Sequence, residues 1–269
     1  MLQLDGRSVD FIESGAGPTV LFLPGSFSTP AAWKAVQRLL PPRWRLAGTS
    51  LLGYGATSDT RRPDDLDMAH EVAAVAAVAK HLGGGPLHLV GHSFGGTVAL
   101  ATALSGEVEV ASLALFEANP LDLLLSAGEP ALHAEALTLS RRFAAAVAAG
   151  EPDAAGLIID YWGGAGSFAA LPDAVKDYCR RTAPANALDW PTCFGFRAGP
   201  ADYARLAPPV LLVRGALANP AMRAITASLA AALPGARPAV VPGASHFLIA
   251  SHAADCAGLL GRFLAEVAG

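Results

Sequence analysis

Cysteine is scarce in this 269-residue chain. Its three cysteines, Cys179, Cys193 and Cys256, are odd in number and far apart. They match no disulfide framework and no metal or redox spacing, so reduced thiols and a cytoplasmic setting are expected. Charge is sparse as well: 16% of residues are charged, 19 basic against 23 acidic, for a formal net charge of −4. Arg61-Arg62 is too short to be a polybasic patch, so the electrostatic footprint of a nucleic-acid binder is missing. No apolar run approaches the ~20 residues that span a bilayer, which argues against a membrane-embedded protein. Asp5 and Arg7 precede any apolar run, so no secretory signal is expected there. The run Gly83-Gly84-Gly85 lacks G-x-G-x-x-G spacing and reads as a helix stop. With no cofactor motif, the expected partner is a small molecule handled by side chains alone.

Apolar residues are abundant, at 52%, and their order is informative. Leu2 to Leu4 and Val9 to Glu13 read as short strands around a turn at Asp5-Gly6. Thr19 to Leu23 and Val110 to Phe116 are short apolar runs, as expected of buried strands, and Leu87 to Val90, Val210 to Val213 and Ala239 to Val241 are further expected strands. Arg45 to Thr49 is a further strand. Helices are expected near Ala31 to Leu40, Leu66 to Leu82, from Ser93 onward, Ala221 to Leu233 and Ala253 to Val267. This alternation implies an α/β fold with a mostly parallel sheet flanked by helices. Between Leu121 and Leu206 the rhythm changes to helices alone, expected at Leu132 to Ala149, Ala154 to Tyr161 and Pro172 to Arg181. The expected organisation is a core of residues 1–120 and 207–269 with a helical cap inserted at 121–206.

The centre of the chain is Gly91-His92-Ser93-Phe94-Gly95. It matches G-x-S-x-G between an expected strand and an expected helix, the setting in which a sharp turn projects a serine hydroxyl above the sheet edge. A serine hydroxyl is a weak nucleophile at neutral pH and needs a base. Among seven histidines, His246 follows the last strand and so lies at the same carboxyl end of the sheet as Ser93. His88 sits inside a strand and reads as a packing residue. His92 adjoins Ser93, but the turn directs it elsewhere, and His70, His81, His133 and His252 fall on expected helices.

Gly91-His92-Ser93-Phe94-Gly95-Gly96, the Pro24-Gly25 loop, Gly53-Tyr54-Gly55 and Gly243-Ala244-Ser245-His246-Phe247 together resemble the α/β-hydrolase fold family over nearly the whole chain. The resemblance implies a Ser–His–acid triad. Most such proteins carry an aspartate after the strand corresponding to Val210 to Val213, but here that loop reads Gly215-Ala216-Leu217-Ala218-Asn219-Pro220, without a carboxylate. The other position used in the family, the end of the preceding strand, holds Glu117. Asn219 and Asp122 remain as alternative partners for His246. The resemblance also implies two backbone N–H donors for an oxyanion, from Phe94 and from Ser26, with Phe27 as the neighbouring candidate for the second. Pro24 stands where the family has histidine.

The implied activity is a serine hydrolase acting on an ester, thioester, lactone or similar acyl bond in a small apolar substrate. Leu123 to Leu125, Tyr161, Trp162, Phe168, Trp190, Phe194 and Phe196 are candidate pocket residues. The same triad would also serve C–C bond hydrolysis or cofactor-free peroxidation. A non-catalytic ligand-binding member of the fold is the reading from another class. Aspartate-dependent dehalogenase and epoxide hydrolase chemistry is disfavoured by the serine at position 93.

Overall fold

The structure is a computed structural model and describes residues 1–4 and 6–268, with the side chain of Leu4 outside that description. The turn read at Asp5-Gly6 therefore includes a residue, Asp5, outside the described residues. The strands are β1 (Leu2–Leu4), β2 (Arg7–Val9), β3 (Phe11–Ser14), β4 (Thr19–Leu23), β5 (Arg45–Thr49), β6 (Leu87–His92), β7 (Val110–Phe116), β8 (Val210–Gly215) and β9 (Arg237–Val241). The helices are α1 (Lys34–Gln37), α2 (Ala69–His81), α3 (Phe94–Ser105), α4 (Leu123–Ser126), α5 (Pro130–Ala148), α6 (Ala155–Gly163), α7 (Asp173–Gly195), α8 (Pro200–Tyr203), α9 (Pro220–Ala232), α10 (Leu248–Ser251) and α11 (Ala253–Val267), with a 3₁₀ turn at Pro30–Trp33 before α1.

Seven strands form one sheet in the order β3-β5-β4-β6-β7-β8-β9. The β3–β5 pair is antiparallel, and the other neighbours run parallel. Successive side chains on a strand point to opposite faces, and the two cores follow that alternation. Leu21, Leu23, Leu89, Leu113, Leu115 and Leu212 pack with α2, α3 and α9 on one face. Val20, Phe22, Val90, Ala114, Phe116, Leu211 and Val213 pack with Trp33, Val36 and α11 on the other. Cys256, Leu260, Phe263 and Leu264 make a buried stripe on α11; each large apolar side chain buried this way contributes roughly 1.5–3 kcal/mol.

Between β7 and β8 the described residues hold helices and no strand. The helix expected to end near Arg181 instead runs on to Gly195 through Pro184 and Pro191. Each proline removes one N–H from the ladder, but the buried face of α7, which includes Cys179, Ala183, Asn186, Asp189, Trp190 and Cys193, keeps the helix continuous. The helix expected from Ala31 to Leu40 is shorter, a 3₁₀ turn followed by one α-turn. The short α10, which begins two residues after His246, carries no periodicity strong enough to predict.

Register places the site. His92 pairs with Phe116 and Phe116 with Val213, so Ser93 and Glu117 are the first residues beyond two neighbouring parallel strands. Ser93 N–H donates to Phe116 O (3.0 Å), and Glu117 N–H donates to Val213 O (2.8 Å). These bonds carry the ladder one step past the strands and fix where both side chains start.

Candidate active site

Among the described residues, the non-glycine residues at positive φ are Phe27 (58°), Ser93 (53°) and Glu117 (50°). Backbones of this kind cost on the order of 1–3 kcal/mol each, and surrounding structure must hold them there. All three lie beyond the carboxyl ends of β4, β6 and β7. At Ser93 the turn is tight enough that a Cβ on Gly95 would collide with the Pro24 carbonyl, and one on Gly91 with the Gly95 carbonyl. Only glycine permits this approach of strand and helix.

The three side chains at this edge form one chain of hydrogen bonds. The Ser93 hydroxyl donates to His246 Nε2 at 2.9 Å. His246 Nδ1–H donates to Glu117 Oε2 at 2.6 Å. The second carboxylate oxygen, Oε1, accepts the Gly215 N–H at 2.7 Å. Both oxygens thus have donors, which a buried carboxylate requires. Relative exposure is 7% for Ser93, 3% for His246 and 1% for Glu117. The other partners considered for His246 are engaged elsewhere. Asn219 Oδ1 caps α9 by accepting from Met222 N–H (2.9 Å), and its amide donates to Tyr161 O (3.0 Å). Asp122 faces His133 at 3.8 Å.

His246 is also held from two further sides. The indole of Trp162, on α6, stacks on its ring with centroids 5.2 Å apart and planes at 26°. His92 Nε2–H donates to the His246 carbonyl at 2.8 Å. Burial, with His246 beside it, pushes the His92 pKa down to about 3, so His92 is neutral and acts as a brace. Sequence reasoning excluded His92 as a base but did not find this contact, because its partner is 154 residues away. His88, as expected, packs inside the sheet, on Ser112 Oγ (2.8 Å) and Trp44.

A cavity of about 240 Å³ opens on Ser93 and His246. Its wall is mostly apolar, with Phe27, Ile158, Trp162, Trp190 and Phe247 among its residues. Of the aromatic and leucine residues expected to line it, Trp162 and Trp190 do so, whereas Leu123, Leu124 and Phe168 are buried in hydrophobic clusters. Ser26 and Phe94 also face the cavity. Among the described residues neither N–H donates to a protein acceptor.

One cluster at the cavity was not read from the sequence. Asp189, on α7, accepts from Ser26 Oγ (2.5 Å), Tyr54 OH (2.6 Å), Asn186 Nδ2 (3.2 Å) and Arg61 Nη1 (2.7 Å). Arg61, set aside above as part of a short basic pair, is fully buried at its side chain. Burial works against its charge, but Asp189 and then Asp59 outweigh that and hold the guanidinium protonated. Burial, then the nearby Asp189, raises the Tyr54 pKa well above its ordinary value.

The sequence profile described as the alpha/beta hydrolase family matches residues 20–259. The chain belongs to the alpha/beta hydrolase family. Within it, the chain is 36% identical to Lipase LipV of Mycobacterium tuberculosis over 103 residues, a match spanning 38% of this chain and 38% of that protein. An esterase from Thermogutta terrifontis superposes with a TM-score of 0.75 at 22% identity, covering 97% of this chain and 94% of the other. The enol-lactonase from Burkholderia xenovorans LB400 gives 0.73 at 16% identity, covering 98% and 99%. At such identities these alpha/beta hydrolase structures share the fold with this chain. No helix among the described residues is long and apolar enough to cross a membrane.

Proposed function

We propose that this alpha/beta hydrolase is a serine hydrolase that cleaves an ester, thioester, lactone or similar acyl bond in a small, mostly apolar substrate. The observation that carries the reading is the continuous hydrogen-bond chain from Ser93 Oγ through His246 to Glu117. In this mechanism Ser93 attacks the acyl carbon as His246 Nε2 takes its proton. Glu117 holds the imidazole in the Nε2-accepting tautomer and offsets the imidazolium charge that develops. The N–H groups of Phe94 and Ser26 receive the oxyanion. His246 then passes its proton to the leaving group. Water, activated by the same imidazole, releases the acyl group. Residues 121–206 act as a cap that adds Ile158, Trp162 and Trp190 to the cavity wall, while residues 1–120 and 207–269 supply the reacting groups and the rest of the wall, Phe27 and Phe247 included. The apolar lining supports an apolar acyl or alcohol portion, as do the lipase and esterase among the relatives.

A fluorophosphonate probe and a series of p-nitrophenyl esters of increasing chain length test this. Parent protein is expected to label and to hydrolyse the shorter esters, and Ser93→Ala to do neither. Absence of both activities in folded parent protein, or hydrolysis surviving in Ser93→Ala, would overturn the proposal.

A further inference from the structure

We infer that Asp189 is a positioning residue that seats the Ser26 loop against the reacting centre through the Ser26 hydroxyl. The inference rests on the serine-hydrolase reading above, in which the Ser26 N–H is an oxyanion donor. Residues 24–28 link β4 to the 3₁₀ turn, and among the described residues they make no backbone–backbone hydrogen bond. Two side-chain hydrogen bonds leave this loop. Ser28 Oγ donates to the adjacent Thr29 O at 3.4 Å, and Ser26 Oγ donates to Asp189 Oδ2 at 2.5 Å. The second is therefore the polar tie between this loop and another element. Its acceptor is a carboxylate, which makes it one of the stronger kinds of hydrogen bond.

Asp189 is itself immobilised. Tyr54 and Arg61 reach it from the segment after β5, and Asn186 from one turn earlier on its own helix. Pro184 and Pro191 bracket this turn of α7 and fix φ on either side of it. A bare carboxylate so near an oxyanion would oppose the charge that develops there. Arg61, 2.7 Å away on the other oxygen, offsets part of that charge while also pairing with Asp59. The arrangement thus gives a rigid acceptor, held by Tyr54, Asn186 and Arg61 as well as by the loop serine. Phe27, next in the loop, is held at φ 58°, a conformation that would relax if its neighbour were released. Oxyanion donors act only when aimed at the oxygen of the tetrahedral state to within tenths of an ångström, so a looser loop lowers kcat more than binding.

The test is steady-state ester hydrolysis by Ser26→Ala, which keeps the backbone N–H and removes the tie. The expected result is a fall in kcat of about ten- to a hundredfold, with KM within about twofold and a matching slowing of fluorophosphonate labelling. Ser26→Thr, which keeps the hydroxyl, should recover most of the rate, and its isostere Ser26→Val should not. The Thr/Val pair gives the same discrimination if the alanine variant does not fold. A kcat in Ser26→Ala within twofold of parent, or equal rates in the Thr and Val variants, would overturn the inference. Ser93→Ala, run alongside, separates the two claims: activity that survives it defeats the hydrolase reading itself, whereas its loss beside an unchanged Ser26→Ala defeats only the role of Asp189.

Discussion

Replacing Glu117 by glutamine tests the proposed acid most directly, because the substitution keeps the side chain's size and changes only its charge and its donors and acceptors. Both neighbours of this carboxylate are donors: His246 Nδ1–H at 2.6 Å and the Gly215 N–H at 2.7 Å. A carboxylate satisfies both, and a carboxamide, with one oxygen and one NH₂, satisfies only one. If the amide oxygen stays on Gly215, its NH₂ faces Nδ1, which must then accept. The imidazole proton moves to Nε2, and the ring presents Ser93 with a donor where it needs an acceptor. If the amide flips, the tautomer survives, but a buried N–H at Gly215 faces another N–H. That costs about 1–3 kcal/mol, and the negative charge opposing the imidazolium is still lost. An acid-to-amide change in a Ser–His–Asp triad lowers kcat by about 10⁴ through a wrong tautomer. The same logic gives a loss of about 10³–10⁴ here, or roughly 4–5.5 kcal/mol of transition-state stabilisation. The assay is initial-rate hydrolysis of a short p-nitrophenyl ester, with thermal melting to show that the variant is folded. Folded Glu117→Gln with kcat within tenfold of parent would refute the assignment of Glu117 as the orienting acid.

Asn219→Ala should leave kcat within about threefold, since Asn219 does not touch His246, while removal of the α9 cap lowers stability by about 1 kcal/mol on denaturant titration; a large kcat loss would reinstate Asn219 as the orienting group. A Cβ at Gly25 would lie 2.9 Å from His92 Nδ1 and 3.0 Å from Ser93 Cβ, so Gly25→Ala should reduce kcat about tenfold or more, whereas Gly85→Ala, which meets nothing within 4 Å, should not; equal rates would contradict the packing described. His92→Gln keeps an N–H near the Nε2 position and should retain about tenfold more activity than His92→Ala, and identical rates would show that the bond to the His246 carbonyl is dispensable. Burial, opposed by Arg61, raises the Glu71 pKa from 4.5 to about 8. Over that window the folded chain keeps a proton the unfolded chain has released, so this group's contribution to stability falls as pH rises from 4.5 to 8, by about 1.4 kcal/mol per unit at most. The Tm advantage of Glu71→Gln should therefore grow across that range and level off above it, and a flat or falling difference would refute the shift.

The sheet and the residues along its edge were legible because each is written locally. Apolar runs such as Thr19 to Leu23 mark strands buried on both faces, and glycines flank Ser93 where backbones nearly touch. Glu117 became the candidate acid because the loop after Gly215 holds no carboxylate and the preceding strand ends on one, and its contact with His246 follows from that position. What was not legible depends on distant partners. Nothing near Arg61 says that it will be buried against Asp189, 128 residues on. Asp189 itself was hidden by a wrong helix end: stopping the helix before Pro184 left positions 186 and 189 without the shared helical face that brings them together. Prolines break isolated helices, but α7 is held by what it packs on, and a local rule does not register that.

Placing the proposed acid after β7 also accounts for what the β8 loop does. Where the family resemblance implied a carboxylate, the chain supplies the Gly215 N–H, which takes the second oxygen of Glu117 and so helps fix the acid from the neighbouring strand. Gly215 can lie close enough only because it has no side chain, since a Cβ there would strike the Ala244 carbonyl in the loop that carries His246. Relieved of holding an acid, the loop turns to Asn219, whose oxygen starts α9 and whose amide grips Tyr161 O at the end of α6. Trp162, the next residue, is the one stacked on His246. The β8 loop therefore meets the proposed acid through the Gly215 N–H and the end of α6 through Asn219. It follows that moving an aspartate into this loop, as in Ala218→Asp, would not rescue Glu117→Gln. The new carboxylate would have no vacant place beside Nδ1, because the side chain at position 117 still fills it. Ester hydrolysis by the double variant should stay at or below that of Glu117→Gln alone, and recovery of more than tenfold would show that the two acid positions are interchangeable in this chain.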